Sequence, residues 1–291
     1  MSLKIAIQGI ESSFHHLAVQ QLFPDKNIEL VPCTSFDKVA ENISCMNVDL
    51  GVIAIENTIA GSILPNYQLI DSCNLKILEE TFLTINMYLM ALNGTTLHDI
   101  DEVHSHPVAL QQCKQYLKRL QPHCKIIEGK DTASEARRIK ENNLKGVAAI
   151  AGKQVAEKFG LEILGKNIQT IKENKTRFVV IGRETPLTTS KLNKATLKFQ
   201  LDHNIGSLSN VLQLLSTFGI NLTKIQSFPI EGKPWQYSFY VDVLFDNTTL
   251  FEEVTILLRK AVSQLRILGI YKQNLENAPS TLAQIPSYEK Y

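Results

Sequence analysis

The sequence lacks paired cysteines, long hydrophobic runs and an excess of charge of either sign. Its 5 Cys are odd in number and none form a Cys-x-x-Cys pair, so a reducing compartment fits better than a disulfide framework. No stretch approaches the roughly 18 to 20 apolar residues of a membrane span, and the N-terminus lacks the apolar core of a signal peptide. The net charge of +1 favours neither nucleic acid nor an anionic membrane as a partner. These absences predict a cytoplasmic protein.

Loops and clusters that hold cofactors are also missing. The segment 8–12 contains one glycine, too few for a phosphate loop of the Walker or dinucleotide type. His104 and His106 could share a strand face and bind a metal, but no third ligand follows at a recognisable spacing. Cys113 has no base beside it, which favours a buried structural thiol over a nucleophile. We therefore expect no cofactor and no metal.

Two blocks of the chain alternate short apolar strands with helices. Residues 50–55 form a near-continuous apolar run, typical of a strand buried on both faces of a parallel sheet. Residues 146–150 and 176–181 are similar, and Ser35 is predicted to cap a helix over 36–42. This alternation predicts an α/β fold. Two such blocks predict two lobes with a ligand-binding cleft between them.

A third unit follows a polar stretch that contains one proline and shows no periodicity. Its pattern is strand, helix, strand, strand, helix, strand, the order of a ferredoxin-like sandwich. We therefore predict a two-lobed region over 1–182, a linker over 183–194, a ferredoxin-like domain over 195–274 and an irregular tail over 275–291.

The strongest local motif is Asn174-Lys175-Thr176-Arg177-Phe178, which enters the strand 176–181. Open α/β sheets bind ligands at strand ends. Arginine offers a rigid fork for carboxylates, and threonine a hydroxyl that can donate to a departing oxygen. Side chains alternate along a regular strand, so Thr176 and Arg177 reach one pocket only if the chain is irregular there. The alternative interpretation is a capped strand end with a surface arginine.

Three further motifs place polar residues at the ends of predicted elements. They are Glu56-Asn57-Thr58 with Gly61, Ser105-His106-Pro107 with Gln112, and Asp131-Thr132-Ala133. Each also has a structural explanation: turn geometry for the first, an N-cap at Ser105 with proline in the first turn for the second, and a cap at Asp131 for the third. The residues alone thus predict a two-lobed ligand-binding protein with a ferredoxin-like appendage.

Taken in order, these motifs resemble the prephenate dehydratase family along nearly the whole chain. The family's glutamate-asparagine-serine motif looks like Glu56-Asn57-Thr58, its serine-histidine-proline motif is matched from Ser105, and its threonine-arginine-phenylalanine signature from Thr176. The third unit resembles the ACT domain that follows the catalytic domain in this family. The resemblance implies a two-lobed, periplasmic-binding-protein-like catalytic domain and a βαββαβ ACT regulatory domain.

The resemblance implies a lyase that converts prephenate to phenylpyruvate, with loss of water and carbon dioxide, in phenylalanine biosynthesis. No helical chorismate mutase region stands before Met1, which implies a monofunctional enzyme. Thr176 is the predicted catalytic residue, at the departing hydroxyl. The residues predicted to bind prephenate are Arg177, Phe178, Asn174, Glu56, Asn57, Thr58, Gly61, Ser105, His106, Gln112 and Thr132.

L-Phenylalanine is the effector that the resemblance implies, acting on a homodimer or homotetramer assembled through the C-terminal domain. The predicted effector-binding residues are Gly206, Ser207, Leu208, Asn221, Leu222, Gln226, Ser227, Phe228 and Pro229. The family's loop of glutamate, serine, arginine and proline has Gln226 and Phe228 in its charged positions here. Both charges are lost together, so we expect phenylalanine to bind with altered affinity or coupling.

A second departure lies near the N-terminus. The family's glycine-proline, glycine-threonine and serine pattern reads Gly9-Ile10, Ser12-Ser13 and His15 here, and its effect is left open. Two other functions also stay open. One is a non-catalytic, two-lobed sensor of an aromatic acid with an ACT domain, which incubation with prephenate would separate from an enzyme. The other is a different aromatic-pathway lyase on the same scaffold, which substrate profiling would reveal.

Overall fold

The structure, a computed structural model, describes residues 2–120, 123–184, 191–202, 204–230, 232–276 and 278–279. Residues 185–190 of the predicted linker and most of the predicted tail lie outside these residues. No helix within the described ranges is long and apolar enough to cross a membrane. The chain forms two compact units. The first holds the described parts of Met1–Ile63, Thr81–Phe178 and Leu275–Tyr291, and the second those of Leu64–Glu80 and Val179–Asn274.

Strands and helices alternate through most of the described chain. The strands are β1 (Leu3–Gln8), β2 (Ile28–Cys33), β3 (Leu50–Asn57), β4 (Gly61–Ser62), β5 (Lys76–Thr84), β6 (Tyr88–Ala91), β7 (Glu102–Ser105), β8 (Lys125–Glu128), β9 (Val147–Ala151), β10 (Glu162–Gly165), β11 (Lys175–Gly182), β12 (Lys194–Gln200), β13 (Asn221–Pro229), β14 (Tyr237–Leu244) and β15 (Gln264–Tyr271). The helices are α1 (Phe14–Leu22), α2 (Phe36–Ser44), α3 (Leu64–Ser72), α4 (Pro107–Gln112), α5 (Lys114–Leu120), α6 (Thr132–Glu141), α7 (Lys153–Phe159), α8 (Ser207–Thr217) and α9 (Thr248–Ala261).

The first sheet has the strand order β2-β1-β3-β11-β5, with β4 paired to β3. β1 runs parallel to both β2 and β3. The side chains of Ile53 and Ile55 on β3 are fully buried, which confirms the prediction of a buried strand from its apolar run. Ser35 accepts a hydrogen bond from the Lys38 N–H and caps α2, as predicted.

The second sheet is mixed, with the order β10-β6-β9-β7-β8. β7 lies parallel to β8 and β9, whereas β6 lies antiparallel to β9 and β10. Helix α6 packs on β9 through the buried side chains of Ala133, Ala136 and Ile139. The two sheets do not divide at one point of the chain, because β5 and β11, which stand before and after the strands of the second sheet, belong to the first sheet.

The third sheet is antiparallel, with the order β13-β14-β12-β15. Its chain order β12-α8-β13-β14-α9-β15 confirms the predicted βαββαβ pattern. The helices contribute to an apolar core in which the rings of Phe245 and Phe251 stack with centroids 4.3 Å apart.

Residues 64–80 belong to the same compact unit as this third sheet. Tyr67 on α3 packs against Tyr240 on β14, with ring centroids 5.4 Å apart. Asp71 pairs with Lys198 of β12 and with Arg266 of β15. The predicted division at 195–274 stays a prediction, and these contacts add to it a segment that the sequence assigned to the two-lobed region.

A buried ion pair links β5 to β12 within this unit. The Lys194 ammonium lies 2.8 Å and 2.9 Å from the two carboxylate oxygens of Glu80. The side chains are 4% and 0% exposed. The Asn274 N–H donates a further hydrogen bond to the same carboxylate at 3.2 Å. A buried pair satisfied in this way tolerates the loss of one partner poorly.

Glu80→Ala is expected to lower the free energy of unfolding by about 3–5 kcal/mol, because it leaves the Lys194 ammonium buried without its carboxylate. Adding Lys194→Met removes the buried ammonium charge and should recover much of the lost free energy of unfolding. Glu79→Ala, at the exposed neighbouring position, is the control and should change the free energy by less than about 0.5 kcal/mol. Urea denaturation followed by circular dichroism measures all three. Equal losses in the single and double variants would contradict this account of the pair.

Candidate active site

Three buried amide side chains form a closed ring of hydrogen bonds in the first unit. Asn57 ends β3, Gln112 ends α4 and Asn174 precedes β11. The Asn57 Nδ2 donates to Asn174 Oδ1 at 2.7 Å, and the Asn174 Nδ2 donates to Gln112 Oε1 at 2.8 Å. The Gln112 Nε2 closes the ring on Asn57 Oδ1 at 3.4 Å. Three of the motifs singled out in the sequence, 55 to 117 residues apart along the chain, therefore meet at one place.

The direction of this ring is fixed by the backbone. The N–H groups of Ile59 and Ala60 both point at Asn57 Oδ1, at 2.9 Å each. A backbone N–H can only donate, so this Asn57 atom must be the carbonyl oxygen. Its other terminal atom is then the donating nitrogen, which requires an oxygen from Asn174. Asn174 in turn presents its nitrogen to the Gln112 oxygen. The orientation of the Asn57 amide therefore determines the orientations of the other two amides.

Thr176 shares the second hydrogen of the Asn57 amide with the Lys175 carbonyl, which lies 3.1 Å from the Asn57 Nδ2. The Asn57 Nδ2 lies 2.9 Å from Thr176 Oγ1, and the Thr176 side chain is buried but not sealed, at 8% exposure. A hydroxyl that accepts a hydrogen bond still has its own hydrogen to donate. No residue within the described ranges accepts that hydrogen. The arrangement therefore presents the Thr176 hydroxyl as a donor to a ligand.

Arg177 lies on the other face of the same strand. Its guanidinium is 3.6 Å from the carboxylate of Glu56, and its side chain is 4% exposed. Successive side chains of a strand point to opposite faces. Asn57 and Thr176 therefore meet on one face of the two neighbouring strands, and their chain neighbours Glu56 and Arg177 meet on the other. β11 is continuous from Lys175 to Gly182, and the predicted alternation of Thr176 and Arg177 is confirmed. The substrate-binding roles of Arg177 and Glu56 stay predictions.

The serine-histidine-proline motif differs in one detail from its prediction. His106, not Ser105, is the N-cap of α4, and its Nδ1 accepts the Val108 N–H at 3.3 Å. Ser105 is still the last residue of β7, and its buried hydroxyl donates to the Ile150 carbonyl of β9 at 2.6 Å. The prediction of a Ser105 cap was therefore wrong, because the sheet uses that hydroxyl. Burial lowers the pKa of His106, against the opposing charges of Asp131 and Glu128.

Other predicted binding residues shape the loops around the ring. The Thr58 N–H donates to the Lys175 carbonyl and its Oγ1 accepts the Lys175 N–H, both at 2.9 Å. Gly61 has φ +79° and pairs with Asn57 in β4, a conformation that glycine adopts without strain. Asp131 caps α6 through the Ser134 N–H, as predicted, and Thr132 begins that helix. Contact of these residues with a substrate stays a prediction.

Two side chains near the ring bear on its chemistry. His15, which the sequence analysis left without a role, lies against Phe178 with ring centroids 5.1 Å apart. Its only sequence signal was the departure from the family pattern. Burial raises the pKa of the Cys113 thiol to about 12, so this thiol stays protonated and is a poor nucleophile, as expected. The described residues hold no group of three or more His, Cys, Asp or Glu suited to a metal.

The predicted effector residues divide between the two ends of the third sheet. Phe228 pairs with Ser238, which pairs with Gln200 at the end of β12 that leads to Gly206. Gly206, Ser207, Leu208, Gln226, Ser227, Phe228 and Pro229 therefore lie toward one end. Asn221 and Leu222 begin β13 and lie at the other. A cavity of about 270 Å³, which the sequence did not indicate, opens among Gln200, Leu201, Asp202, Ile230, Lys233, Gln236, Ser263 and Gln264.

The fold and the candidate site define the class of this protein. It is an α/β protein in which buried amide side chains orient a threonine hydroxyl as a hydrogen-bond donor. The family model for prephenate dehydratase matches residues 5–186. The chain is 35% identical over 282 residues to arogenate dehydratase/prephenate dehydratase 2, chloroplastic, of Arabidopsis thaliana, covering 92% of this chain and 72% of that protein. This chain belongs to the prephenate dehydratase family.

Two solved structures share the fold of this chain. The prephenate dehydratase from Arthrobacter aurescens in complex with L-Phe superposes with a TM-score of 0.84 at 25% identity, over 96% of this chain and 92% of the other. GqqA, described as a novel type of quorum-quenching acylase, superposes with a TM-score of 0.80 at 28% identity, over 94% and 100% of the two chains.

Proposed function

We propose that this protein converts prephenate to phenylpyruvate, releasing water and carbon dioxide, and that Thr176 is the group at the departing hydroxyl. The observation that carries the proposal is the Asn57–Thr176 hydrogen bond, which leaves the threonine hydrogen free to donate. A donor of this kind is what a departing hydroxyl requires.

The proposed chemistry needs a donor more than a strong acid. As the bond to the ring carboxylate breaks, its electron pair enters the ring, the bond to the ring hydroxyl breaks, and that oxygen leaves as water after gaining a proton. Formation of the aromatic ring makes the reaction strongly downhill. A threonine hydroxyl is too weak an acid to ionise, so its role is to donate a hydrogen bond to the leaving oxygen or to relay a proton. The amide ring holds it in that orientation before the substrate arrives.

Three other functions would use the same scaffold differently. A relative is named for arogenate as well as prephenate, so both substrates belong in the assay. A non-catalytic sensor would bind prephenate without forming phenylpyruvate. An acylase would need an activated nucleophile, whereas Ser105 donates its hydrogen to a carbonyl and the Cys113 thiol has its pKa raised. These facts favour dehydration over acyl transfer at this site.

Thr176→Ala is expected to reduce kcat on the order of 10²-fold or more with little change in KM, because the donor acts mainly in the transition state. Thr176→Ser keeps a hydroxyl for Asn57 to orient and should retain more activity. Phenylpyruvate formation, followed by its absorbance in alkali, gives both constants. A Thr176→Ala variant with unchanged kcat would remove Thr176 from the mechanism.

β11 is regular, so Arg177 can grip a carboxylate of prephenate only from the face opposite Thr176. If it does so, Arg177→Lys is expected to weaken prephenate binding by about 1.5–3 kcal/mol, the range for charge-assisted hydrogen bonds, since lysine cannot reproduce a two-point grip on a carboxylate. Calorimetry in the Thr176→Ala background measures binding without turnover. Glu56→Gln is the companion variant, because it removes the charge opposite Arg177, keeps the guanidinium and tests the predicted binding role of Glu56. If Arg177 serves only Glu56, both variants will lose stability and neither will lose affinity for prephenate.

We further propose that the third sheet with α8 and α9 is an ACT regulatory domain that binds L-phenylalanine, by analogy with the relative solved with L-Phe. β13 is an edge strand, and Ile225 at its centre is 40% exposed. An exposed edge suits pairing with a second copy. In a two-fold, antiparallel pairing, the Asn221 end of one β13 meets the Phe228 end of the other. Both groups of predicted effector residues would then share one interface, which supports a homodimer or a tetramer built from it.

L-Phenylalanine is expected to bind and to lower turnover, while Gln226→Glu combined with Phe228→Arg, which restores the family's charged pair, should change its affinity or its inhibition severalfold. Calorimetry with phenylalanine measures its binding, activity at saturating effector measures its inhibition, and light scattering measures the mass of the assembly. No heat and no change in rate would make the domain an assembly module only, and binding without inhibition would mean that the site is uncoupled.

A further inference from the structure

His15 is the most informative departure from the family pattern, because it lies beside the site. It lies in the first turn of α1, and its ring contacts Phe36 at 5.4 Å and Phe178 at 5.1 Å between centroids. Phe178 follows Thr176 by two residues on β11, so both side chains lie on one face of that strand. His15 therefore lies on the face of the first sheet that carries the Thr176 donor.

The residues around His15 reach the second sheet. Phe14 packs against the core of that sheet, and its ring is the nearest neighbour of Gly152 after β9. Ile10 packs against another apolar cluster of the same sheet, which includes Ala149 and Ala151 of β9. Glu11 pairs with Lys158 of α7 at 2.7 Å. The segment that carries His15 thus joins elements of both sheets, as Asn57 and Gln112 do, and the His15 side chain itself stays partly open to solvent.

The hydrogen bonding of the imidazole fixes its tautomer. The Ala54 N–H of β3 donates to His15 Nε2 at 3.3 Å, so Nε2 has no hydrogen and the ring proton is on Nδ1. Burial lowers the pKa of His15 to about 4, and the rings of Phe36 and Phe178 that enclose it carry no charge. Within the described chain, no residue hydrogen-bonds Nδ1. The ring is therefore neutral near pH 7 and presents one N–H.

We propose that His15 is a substrate-positioning residue whose neutral imidazole donates its Nδ1 hydrogen to an oxygen of the substrate. The proposal rests on the proposed function. A donor with no acceptor on the same atom suits a carboxylate or keto oxygen and disfavours an ammonium group. The family's serine offers a hydroxyl on a shorter side chain, so the histidine extends a donor farther from α1. Phe36, Phe178 and the Ala54 N–H hold the ring before substrate binds, which lowers the entropic cost of the contact.

Two substitutions separate positioning from packing. His15→Asn keeps an N–H donor near the place of Nδ1 and loses the acceptor for Ala54. His15→Gln keeps an acceptor near the place of Nε2 and loses the Nδ1 donor. A positioning role predicts that Gln lowers kcat/KM for prephenate about tenfold or more, mainly through KM, while Asn retains most of it. A structural role predicts the reverse order, with Asn losing both thermal stability and activity. His98→Gln, at an exposed histidine, is the control and should match the wild type.

A spectroscopic measurement tests the tautomer independently of activity. In ¹⁵N-histidine spectra at pH 7, His15 should be neutral with its hydrogen on Nδ1, and addition of prephenate in the Thr176→Ala background should shift the Nδ1 resonance. The opposite tautomer, or equal effects of Asn and Gln in an active enzyme, would overturn the proposal for His15 alone. A wild-type protein that forms no phenylpyruvate would overturn the proposed function, and this proposal with it.

Discussion

Two backbone N–H groups, those of Ile59 and Ala60, determine the direction of the hydrogen bonds in the candidate active site. They hold the carbonyl oxygen of Asn57, which leaves its nitrogen to face Asn174 and Thr176. An amide in the opposite orientation would set its nitrogen against two N–H donors and lose both hydrogen bonds, and the buried Asn57 nitrogen alone would cost about 1–3 kcal/mol if left unsatisfied. The local turn after β3 therefore decides whether a threonine on another strand donates or accepts.

The opposite faces of Thr176 and Arg177 could be predicted from the period of the strand, whereas the choice of these residues as a site came from their resemblance to the family's motifs. Alternation along 176–181 implied opposite faces for Thr176 and Arg177, and the pairing of Arg177 with Glu56 agrees. The amide ring could not be predicted, because it depends on the register of β3 against β11 and on where α4 ends. Asn57 and Thr176 are 119 residues apart in the chain, and no local propensity fixes such a distance. Ser105 was misassigned for a similar reason, since its partner Ile150 lies on a strand that follows 45 residues later.

The fold shows the same division between local and distant information. The βαββαβ order of the third sheet follows from periodicity alone, but the partner of that sheet does not. Residues 64–80 join it through Tyr67, Asp71 and Glu80, which contact β14, β12 and β15. These three contacts use two carboxylates and a phenol, whose burial requires specific partners, so no periodicity of apolar residues could have revealed them.

Regulation by a ligand on the third sheet would require a segment that belongs to both that unit and the site. The chain provides two: the hairpin of Asn57 and Gly61 continues directly into α3, and β11 continues from Thr176 into the second unit. A ligand that favours one of two arrangements of α3 can change the population of the active arrangement only by its difference in affinity for them. A difference of about 1.4 kcal/mol changes the ratio of the two arrangements tenfold. The Asn57–Thr176 bond is worth about that much, so a ligand that favours an arrangement of the hairpin without this one bond would change the share of molecules that present the Thr176 donor about tenfold.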